Sequence, residues 1–482
     1  MGLYELSAII LYFSLLFLIG FSSYRKNLSS SDFILGSRSL NYWLTAMSAH
    51  ASDMSSWLFL AYPALIFTDG IFKSWAAIGL TVFMFLNWQL VATKIRVSTE
   101  KYNSLTFSSF FESRLSDTSG TIRIFTAVMS LVFYTIYLSA GLVGLGILLE
   151  TLFGINYFLG VFLGIALVIP YVFIGGYLTL AWIDLFQGIF LLGVILFVPL
   201  YLLPKVGGLS SLFHAASAKH LPTSLFPDLS YKSLWLILCE MLGWGLGYFG
   251  QPHIITKFMG IKKTEEIRKS KWVGMTWMVL SLGAAVLVGL VGIAYFTTPL
   301  DDPQQLFIAM VRQNFHPFLI GFILCGILAT TINSMSSQVL VLSSTLTEDF
   351  YRKVFNKNAS TKELLLVSRI GIILVALLAF GIAYGKVSTI YSLVFYAWSG
   401  LGASFGPVIL LCLYSKKTNK FGAWGGILAG GSTAALWPYI NQVYHLQVPP
   451  IIPAFALSFL TILAVSRITN PKAIPGKLEN IS

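Results

Sequence analysis

The sequence predicts an all-α polytopic membrane protein. Of its 482 residues, 56% are hydrophobic and only 10% are charged, and the mean hydropathy is +0.79. A soluble domain carries about 25% charged residues, so this chain could not cover itself with a hydrated surface. Its apolar runs are much longer than the roughly 10 residues of a membrane β-strand. These observations exclude a cytosolic enzyme, a secreted disulfide scaffold and a disordered chain.

Thirteen apolar runs are long enough to cross a bilayer, which takes about 17 to 25 residues. In chain order they are Leu6–Phe21, Tyr42–Phe67, Ser74–Thr93, Ile124–Phe153, Phe158–Ile174, Leu185–Leu203, Leu234–Phe258, Trp272–Phe296, Phe318–Leu346, Leu364–Tyr384, Ile390–Tyr414, Phe421–Ile440 and Val448–Ser466. The fifth and sixth runs are separated at a Gly175-Gly176 turn. We expect residues 1–482 to form one transmembrane domain, with Lys94–Arg123, Pro204–Ser233 and Thr297–Pro317 as loops between spans.

The basic residues predict the orientation. The chain has 31 Lys and Arg against 19 Asp and Glu. With thirteen alternating spans, 25 of the 31 basic residues fall on one side, Lys257 among them. Because basic residues gather in cytoplasmic loops, that side is predicted to be cytoplasmic. The N-terminus is then outside and the C-terminus inside.

Two spans are interrupted by residues that lipid does not tolerate. The second span carries a polar run, residues 48–56, with Asp53 at mid-membrane depth, and the seventh has four glycines and a proline within residues 243–252. Both are predicted to be broken helices whose freed backbone lines a cavity. They lie five spans apart, so the sequence predicts two inverted repeats, approximately 42–203 and 234–414. The extra helices are 6–21, 421–440 and 448–466.

The ninth span offers ligands for a monovalent cation. Its small polar residues are Thr330, Thr331, Asn333, Ser334, Ser336 and Ser337. Residues 330, 333 and 334 share one helix face. Small polar residues also let membrane helices pack tightly, but six of them together with a mid-membrane carboxylate favour an ion site. An ionisable residue such as Asp53 within a span is functional by default.

An aromatic stripe accompanies the second break. Trp244, Tyr248 and Pro252 are spaced by four residues, which favours a midplane pocket over plain helix packing. Asp184 lies at the predicted cytoplasmic start of the sixth span. A functional role and a plain interfacial carboxylate explain it equally well. Glu240 has no evident partner. His50 is interpreted either as a packing residue or as a group that contacts substrate or a proton.

Three motifs resemble the sodium:solute symporter family, and the second resembles its proline-transporting branch. They are Ala51-Ser52-Asp53-Met54-Ser55, Gly243-Trp244-Gly245-Leu246-Gly247-Tyr248-Phe249-Gly250-Gln251-Pro252-His253-Ile254 and Leu342-Ser343-Ser344-Thr345-Leu346-Thr347-Glu348-Asp349. The resemblance extends from Asp32-Phe33-Ile34-Leu35-Gly36 to the Gly400–Pro407 stretch. It implies a LeuT-type fold with about thirteen helices.

The resemblance also implies roles for individual residues. The sodium ligands would be the backbone carbonyls of Ala51, Met54 and Thr330 and the side chains of Asn333 and Ser334. Asp53 would support sodium affinity. The proline pocket would be shaped by Tyr137, Trp244, Tyr248 and Pro252. Relatives with a further sodium site use residues that match Asp184, Ser336 and Ser337, and the sequence leaves the presence of that site open.

Three positions depart from the family pattern. Asn333 replaces a serine, Ser56 replaces a glycine, and His50 replaces another small residue. The asparagine still offers an oxygen ligand, but its amide NH2 group must also find a partner. Ion affinity and selectivity are therefore where this chain is expected to differ.

The predicted function is inward symport of L-proline with Na⁺ by alternating access. The alternatives are Na⁺- or H⁺-coupled symport of another small amino or organic acid and, from a different class, an ion channel. A membrane-embedded enzyme is disfavoured because the sequence shows no nucleophile–base pair or metal cluster. The expected partners are proline, sodium ions and the lipid bilayer, with no nucleic acid.

Overall fold

The computed structural model describes residues 2–23, 30–174, 177–298, 300–356 and 358–469. Within these ranges the chain forms twenty α-helices and no β-strand, apart from an isolated bridge between Leu40 and Ile261. The helices are α1 (Leu3–Ser23), α2 (Ser30–Leu35), α3 (Tyr42–Ala51), α4 (Tyr62–Asp69), α5 (Ser74–Asn87), α6 (Thr93–Lys101), α7 (Phe107–Leu115), α8 (Thr121–Phe153), α9 (Tyr157–Ile174), α10 (Tyr177–Leu202), α11 (Gly208–Ala218), α12 (Tyr231–Gly245), α13 (Pro252–Met259), α14 (Ile267–Tyr295), α15 (Leu306–Asn314), α16 (Pro317–Ser344), α17 (Thr361–Tyr384), α18 (Ile390–Tyr414), α19 (Lys420–Tyr444) and α20 (Ile451–Ile468).

Every predicted span coincides with helix. Among the described residues, nine helical segments are long and apolar enough to cross a membrane, and shorter apolar helices occupy Trp57–Asp69, Tyr157–Ala166 and Arg369–Tyr384. The remaining predicted span, Phe421–Ile440, lies within the 25-residue helix α19, whose glycines lower its hydropathy but not its length. The prediction of an all-α membrane protein is confirmed.

Both predicted interruptions are present. Helix α3 ends at Ala51, and a turn leads into a π-helical segment, Trp57–Ala61, before α4 begins. Helix α12 ends at Gly245, continues as a 3-10 segment over Leu246–Gly250, and α13 starts at Pro252. Proline has no backbone N–H and suits the first turn of a helix, so the chain breaks just before it.

Two details of the sequence prediction were wrong. The stretches predicted as loops contain short helices: α6 and α7, α11, and α15. Helix α6 continues the apolar segment Ile71–Lys101, while α7, α11 and α15 have only 9, 11 and 9 residues and are too short to cross a bilayer. Asp184 does not start a helix, because α10 begins seven residues earlier. The predicted Gly175-Gly176 turn lies outside the described residues.

The central helices are distinguished by burial. In the most apolar 18-residue stretch of α8, of α16 and of α18, 83% of the residues are buried within the protein, against 17% in α1 and 28% in α20. A helix that is apolar on all sides and buried belongs in the core of a membrane bundle. Helices α8, α16 and α18 therefore form the core, and α1 and α20 lie at the periphery.

The loops separate into two faces, as alternating spans require. On one face Arg114 donates to the Cys412 carbonyl (3.0 Å), and Arg123 lies 3.5 Å from Asp349. On the other, Trp75 donates to the Leu225 carbonyl (2.8 Å). The loops that meet on each face are those that the thirteen-span order places there. The predicted cytoplasmic residues Arg25, Lys26, Lys357, Lys472 and Lys477 lie outside the described residues.

Candidate functional site: two broken helices and a buried carboxylate network

The break after α3 exposes backbone at mid-span. Asn41 caps the start of the helix by accepting from the Leu44 N–H (2.9 Å). At its end the Ser52 hydroxyl donates to the Ser48 carbonyl (2.5 Å). Asp53 and Met54 follow outside helical geometry, and both are buried. A helix end leaves carbonyls without intrahelical partners, so this turn can present oxygen atoms to a cation.

The break after α12 is packed against α18. A side chain at Gly250 would lie 2.6 Å from the Gly402 carbonyl oxygen, and one at Gly247 would overlap the Trp398 indole. Only glycine permits this close approach. The backbone carbonyls that the break frees are satisfied by side chains: Trp398 donates to the Trp244 carbonyl (2.8 Å), and Asn87 donates to the Tyr248 carbonyl (3.0 Å).

The two breaks touch through Asp53. The Tyr248 hydroxyl donates to Asp53 Oδ2 (2.9 Å), and His253 Nε2 lies 3.6 Å from Asp53 Oδ1. Tyr134 holds the His253 ring through Nδ1 (3.2 Å) and accepts from its backbone N–H (3.1 Å). A buried charge requires such partners, and they come from the opposite broken helix.

Aromatic rings surround this junction. Trp244 packs against Trp57 (ring centroids 5.0 Å apart) and donates to the Tyr391 hydroxyl (3.0 Å). Tyr248 meets Trp398 edge to face at 5.0 Å. These contacts join both breaks and α18 into one aromatic cluster.

Tyr137 and Pro252 lie beside His253. The Tyr137 ring lies 5.9 Å from the His253 ring, and Pro252 and His253 line the same cavity. Tyr137, Trp244 and Tyr248 are buried. The structure thus gathers the predicted aromatic residues around the two breaks, while Pro252 opens α13 on the side of that cavity.

Helix α16 carries the predicted polar face of the ninth span, and Thr330, Asn333 and Ser334 are each 1% exposed. The Thr330 hydroxyl donates to the Gly326 carbonyl (2.9 Å), and the Ser336 hydroxyl donates to the Ile332 carbonyl (2.7 Å). Within the described residues, the buried hydroxyls of Ser334 and Ser337 have no hydrogen-bond partner. Buried polar atoms are nearly always paired, so an unpaired hydroxyl here is a candidate ligand.

Asp184 joins α16 to the first break. Its carboxylate is fully buried in α10 and accepts from the Ser48 hydroxyl and from the Asn333 amide. The Lys257 ammonium lies 3.4 Å from its Oδ2. The alternative of an interfacial carboxylate was therefore wrong, because tertiary packing surrounds Asp184 on every side. The NH2 group of Asn333 finds its partner here.

Sequence reasoning counted Lys257 at the cytoplasmic end of the seventh span and did not single it out as a site residue. The structure shows that it is 2% exposed within the protein. Its position directly after the glycine-rich break was the available signal. Glu240 does have a partner, since Lys73 donates to it at 2.5 Å. His50 is a packing residue: its Nε2 accepts from the Trp88 indole (3.2 Å). Trp57, Trp398 and Tyr391 were not singled out, since single aromatic residues in apolar spans carry no distinguishing pattern.

Comparisons with solved structures show the fold. A substrate-bound, outward-open Na⁺-coupled sialic acid symporter matches with a TM-score of 0.80 and 16% identity, covering 98% of this chain and 99% of that one. MHP1, a nucleobase-cation-symport-1 family transporter, matches with a TM-score of 0.54 and 14% identity, covering 91% and 94%. The predicted LeuT-type fold, with about thirteen membrane helices in inverted repeats, is confirmed.

Sequence comparisons show the family. The high-affinity proline transporter PutP of Bacillus subtilis (strain 168) is 39% identical and covers 94% of this chain and 96% of its own length. The osmoregulated proline transporter OpuE of the same organism is 38% identical, covering 96% and 94%. The sodium/proline symporter of Staphylococcus aureus (strain JH9) is 37% identical, covering 96% and 92%. Residues 33–430 match the sodium:solute symporter family, and the chain belongs to that family.

Proposed function

We propose that this protein is a secondary active transporter that carries L-proline into the cell together with Na⁺. The observation that carries the proposal is the hydrogen bond from Tyr248 to Asp53, which joins the two broken helices at one point. Relatives 37% to 39% identical over nearly the whole chain are named as proline transporters. Broken helices of this kind hold substrate and ions in membrane transporters.

The proposed sodium site lies between the first break and α16. It uses the carbonyls of Ala51, Met54 and Thr330, with the side chains of Asn333 and Ser334. Two findings support it: the chain leaves helical geometry after Ala51, and the buried Ser334 hydroxyl lacks a partner among the described residues. Uncharged oxygens suit a monovalent cation because they avoid the cost of several buried charges. Asp53 provides the nearby negative charge.

The proposed proline pocket is formed by Tyr137, Trp244, Tyr248 and Pro252. The aromatic faces suit the compact pyrrolidine ring, and they also attract its ammonium group. Tyr248 belongs to this pocket and touches Asp53, so the two sites share a boundary. Sodium that holds the first break against α16 would favour the complete pocket. The coupling is reciprocal, so proline must raise the affinity for sodium by the same factor.

The membrane arrangement completes the proposal. The inverted repeats are approximately residues 42–203 and 234–414, and each begins with a broken helix. The face that carries Arg114 and Arg123 is placed in the cytoplasm because basic residues are retained there. The protein then lies in a bacterial inner membrane with its N-terminus outside.

Radiolabelled proline uptake into proteoliposomes tests the function. The purified full chain is reconstituted, and initial uptake is measured with an inward Na⁺ gradient, with equal Na⁺ on both sides, and with choline in place of Na⁺. We expect concentrative, saturable uptake only with the gradient. Unlabelled proline should compete, while glutamate should not. Uptake that needs no Na⁺, or that rises linearly with proline concentration, would contradict symport.

A further inference from the structure

Lys257 is a charged residue held entirely inside the protein. It lies in α13, six residues after Gln251, the extended residue that follows the 3-10 segment Leu246–Gly250. Its side chain is 3% exposed, and the Asp184 side chain opposite is fully buried. Lysine is almost never buried without a partner, so the interaction with Asp184 explains how the ammonium remains in this position.

The Asp184 carboxylate has donors on both oxygens. Asn333 donates to Oδ1, while Ser48 donates to Oδ2 and the Lys257 ammonium lies 3.4 Å from the same atom. The Tyr177 ring lies below the ammonium, 5.0 Å from its nitrogen. Four helices, α3, α10, α13 and α16, therefore meet at one ion pair.

The charge balance leaves no need for a second cation. One carboxylate and one ammonium are together neutral, and an added sodium ion would leave an uncompensated positive charge in a region of low dielectric constant. Sodium would also have to displace donors that already occupy the carboxylate oxygens. We propose that the Lys257 ammonium is a tethered cation that takes the place of a second sodium ion beside Asp184. This inference rests on the proposed function.

The surroundings explain why removing the ammonium would open the position to an ion. Lys257 lines a small cavity of about 20 Å³ together with Pro252, His253 and Ser337, which is enough for one water molecule or a small ion. The Ser337 hydroxyl is buried and has no partner among the described residues. Without the ammonium, Asp184 would be a buried carboxylate with no counter-charge, while the cavity that Lys257 lines would remain next to the vacated position. Ser337, one helical turn from Asn333, would offer its hydroxyl from the wall of that cavity. A sodium ion could then reach it and restore neutrality.

The test is Lys257→Met, which keeps a long apolar side chain but removes the charge. In proteoliposomes, the ratio of ²²Na⁺ to labelled proline at initial uptake should be one for the wild type and should approach two for the variant. The sodium activation curve of the variant should become steeper, with a Hill coefficient above one. The double variant Asp184→Asn/Lys257→Met removes both charges and should return the ratio to one. Exposed Lys263, changed to Met, is the matched control.

A second readout does not require transport. The melting temperature of detergent-solubilised Lys257→Met should rise with NaCl more steeply than that of the wild type, compared at equal choline chloride, because sodium binds only the folded state. A wild-type ratio of two contradicts the proposal. So does a Lys257→Met protein whose ratio and melting respond to sodium as the wild type does, or one that does not fold even in high sodium. If the wild type transports no proline, the proposed function fails, while the melting comparison still tests the tethered cation.

Discussion

At the scale of single residues, Asp53 is where charge and hydrogen bonding can be separated. In the wild type the Tyr248 hydroxyl lies 2.9 Å from Asp53 Oδ2. Asp53→Asn keeps an oxygen that accepts this hydrogen bond, so the two breaks remain joined. It removes the negative charge beside the proposed sodium site. We expect the half-saturation for sodium to rise roughly tenfold, equivalent to about 1.4 kcal/mol, while expression and melting change little. The measurement is sodium activation of proline uptake. Asp301→Asn, at an exposed carboxylate, is the control, and wild-type sodium affinity in Asp53→Asn would exclude the assigned role.

The aromatic residues are tested through proline affinity. Trp244→Ala and Tyr248→Ala remove rings from the buried cluster, and we expect each to raise the half-saturation for proline roughly tenfold, equivalent to about 1.4 kcal/mol. Tyr248→Phe keeps the ring but loses the hydrogen bond to Asp53, so it separates ring packing from that bond. Tyr231→Ala, at a 94% exposed tyrosine on the same helix as Trp244, is the control. Unchanged proline affinity in both alanine variants would mean that these residues only pack the helices and do not bind proline.

Asn333 has two possible contributions, and two substitutions divide them. Its amide donates to Asp184, and its oxygen is the proposed sodium ligand. Asn333→Ser loses the bond to Asp184 but restores a hydroxyl ligand, so sodium affinity should change little while the melting temperature falls. Asn333→Ala loses both, and sodium binding should weaken by about 1 to 3 kcal/mol, or roughly 5- to 150-fold. Sodium activation curves for the two variants decide: identical curves for Ala, Ser and wild type would place residue 333 outside the ion site.

At the scale of elements, the start of α8 depends on Asp117 in the preceding loop. Its carboxylate accepts from the backbone N–H groups of Ser119 (3.0 Å) and Ile122 (3.1 Å). Burial works to raise the pKa of Asp117, but the hydrogen bond from the Ser119 hydroxyl, these two backbone hydrogen bonds and the charge of Lys420 hold the pKa below its usual value. Such a carboxylate also interacts favourably with the helix N-terminus.

A lowered pKa in the folded state gives stability that is present above the unfolded value, about pH 3.9, and is lost as the pH falls through the folded value. Asp117→Asn should therefore lower stability at pH 7 by about 1 kcal/mol, seen as a lower melting temperature in detergent. The difference from wild type should shrink as the pH falls below about 4. Asp69→Asn, at an exposed carboxylate, should melt as the wild type does. A difference for Asp117→Asn that is constant across pH would rule out the carboxylate as its cause.

The sequence predicted the elements whose residue types are incompatible with a continuous helix in lipid. Both helix breaks were predictable because a polar run around Asp53 and the glycines of 243–252 cannot continue a helix in lipid. The short helices α7, α11 and α15 were missed because, at 9, 11 and 9 residues, they are shorter than the runs that mark a membrane span. The pairing of Lys257 with Asp184 was not predicted, because a count of basic residues records order along the chain and contains no information about which residue faces Asp184. Partners that come from distant helices need the folded structure.

At the scale of the whole molecule, the arrangement separates a buried core from two loop faces. Within the bundle of α8, α16 and α18, α18 contributes Tyr391 and Trp398 to the aromatic cluster and α16 carries the polar face of the ninth span. On one face Arg123 pairs with Glu112 (2.5 Å) and lies near Asp349; on the other Lys73 pairs with Glu240 (2.5 Å). Alternating access requires that contacts on these faces open in turn, and ion pairs that are broken by one movement are suited to that role.

The orientation of the two faces is a prediction from charge and can be tested directly. Contacts between loops show which loops share a face, and the positive-inside rule predicts that the Arg114 face is cytoplasmic. The native cysteines Cys239, Cys325 and Cys412 are buried, and changing all three to alanine gives a clean background for single exposed cysteines. In intact cells a membrane-impermeant thiol reagent should label Thr223→Cys and should label Lys417→Cys only after the cells are permeabilised. Both positions are exposed in the structure, so each serves as the other's control. Labelling of Lys417→Cys but not Thr223→Cys in intact cells would show that the orientation is the reverse of the predicted one. Labelling of both would contradict the thirteen-span order.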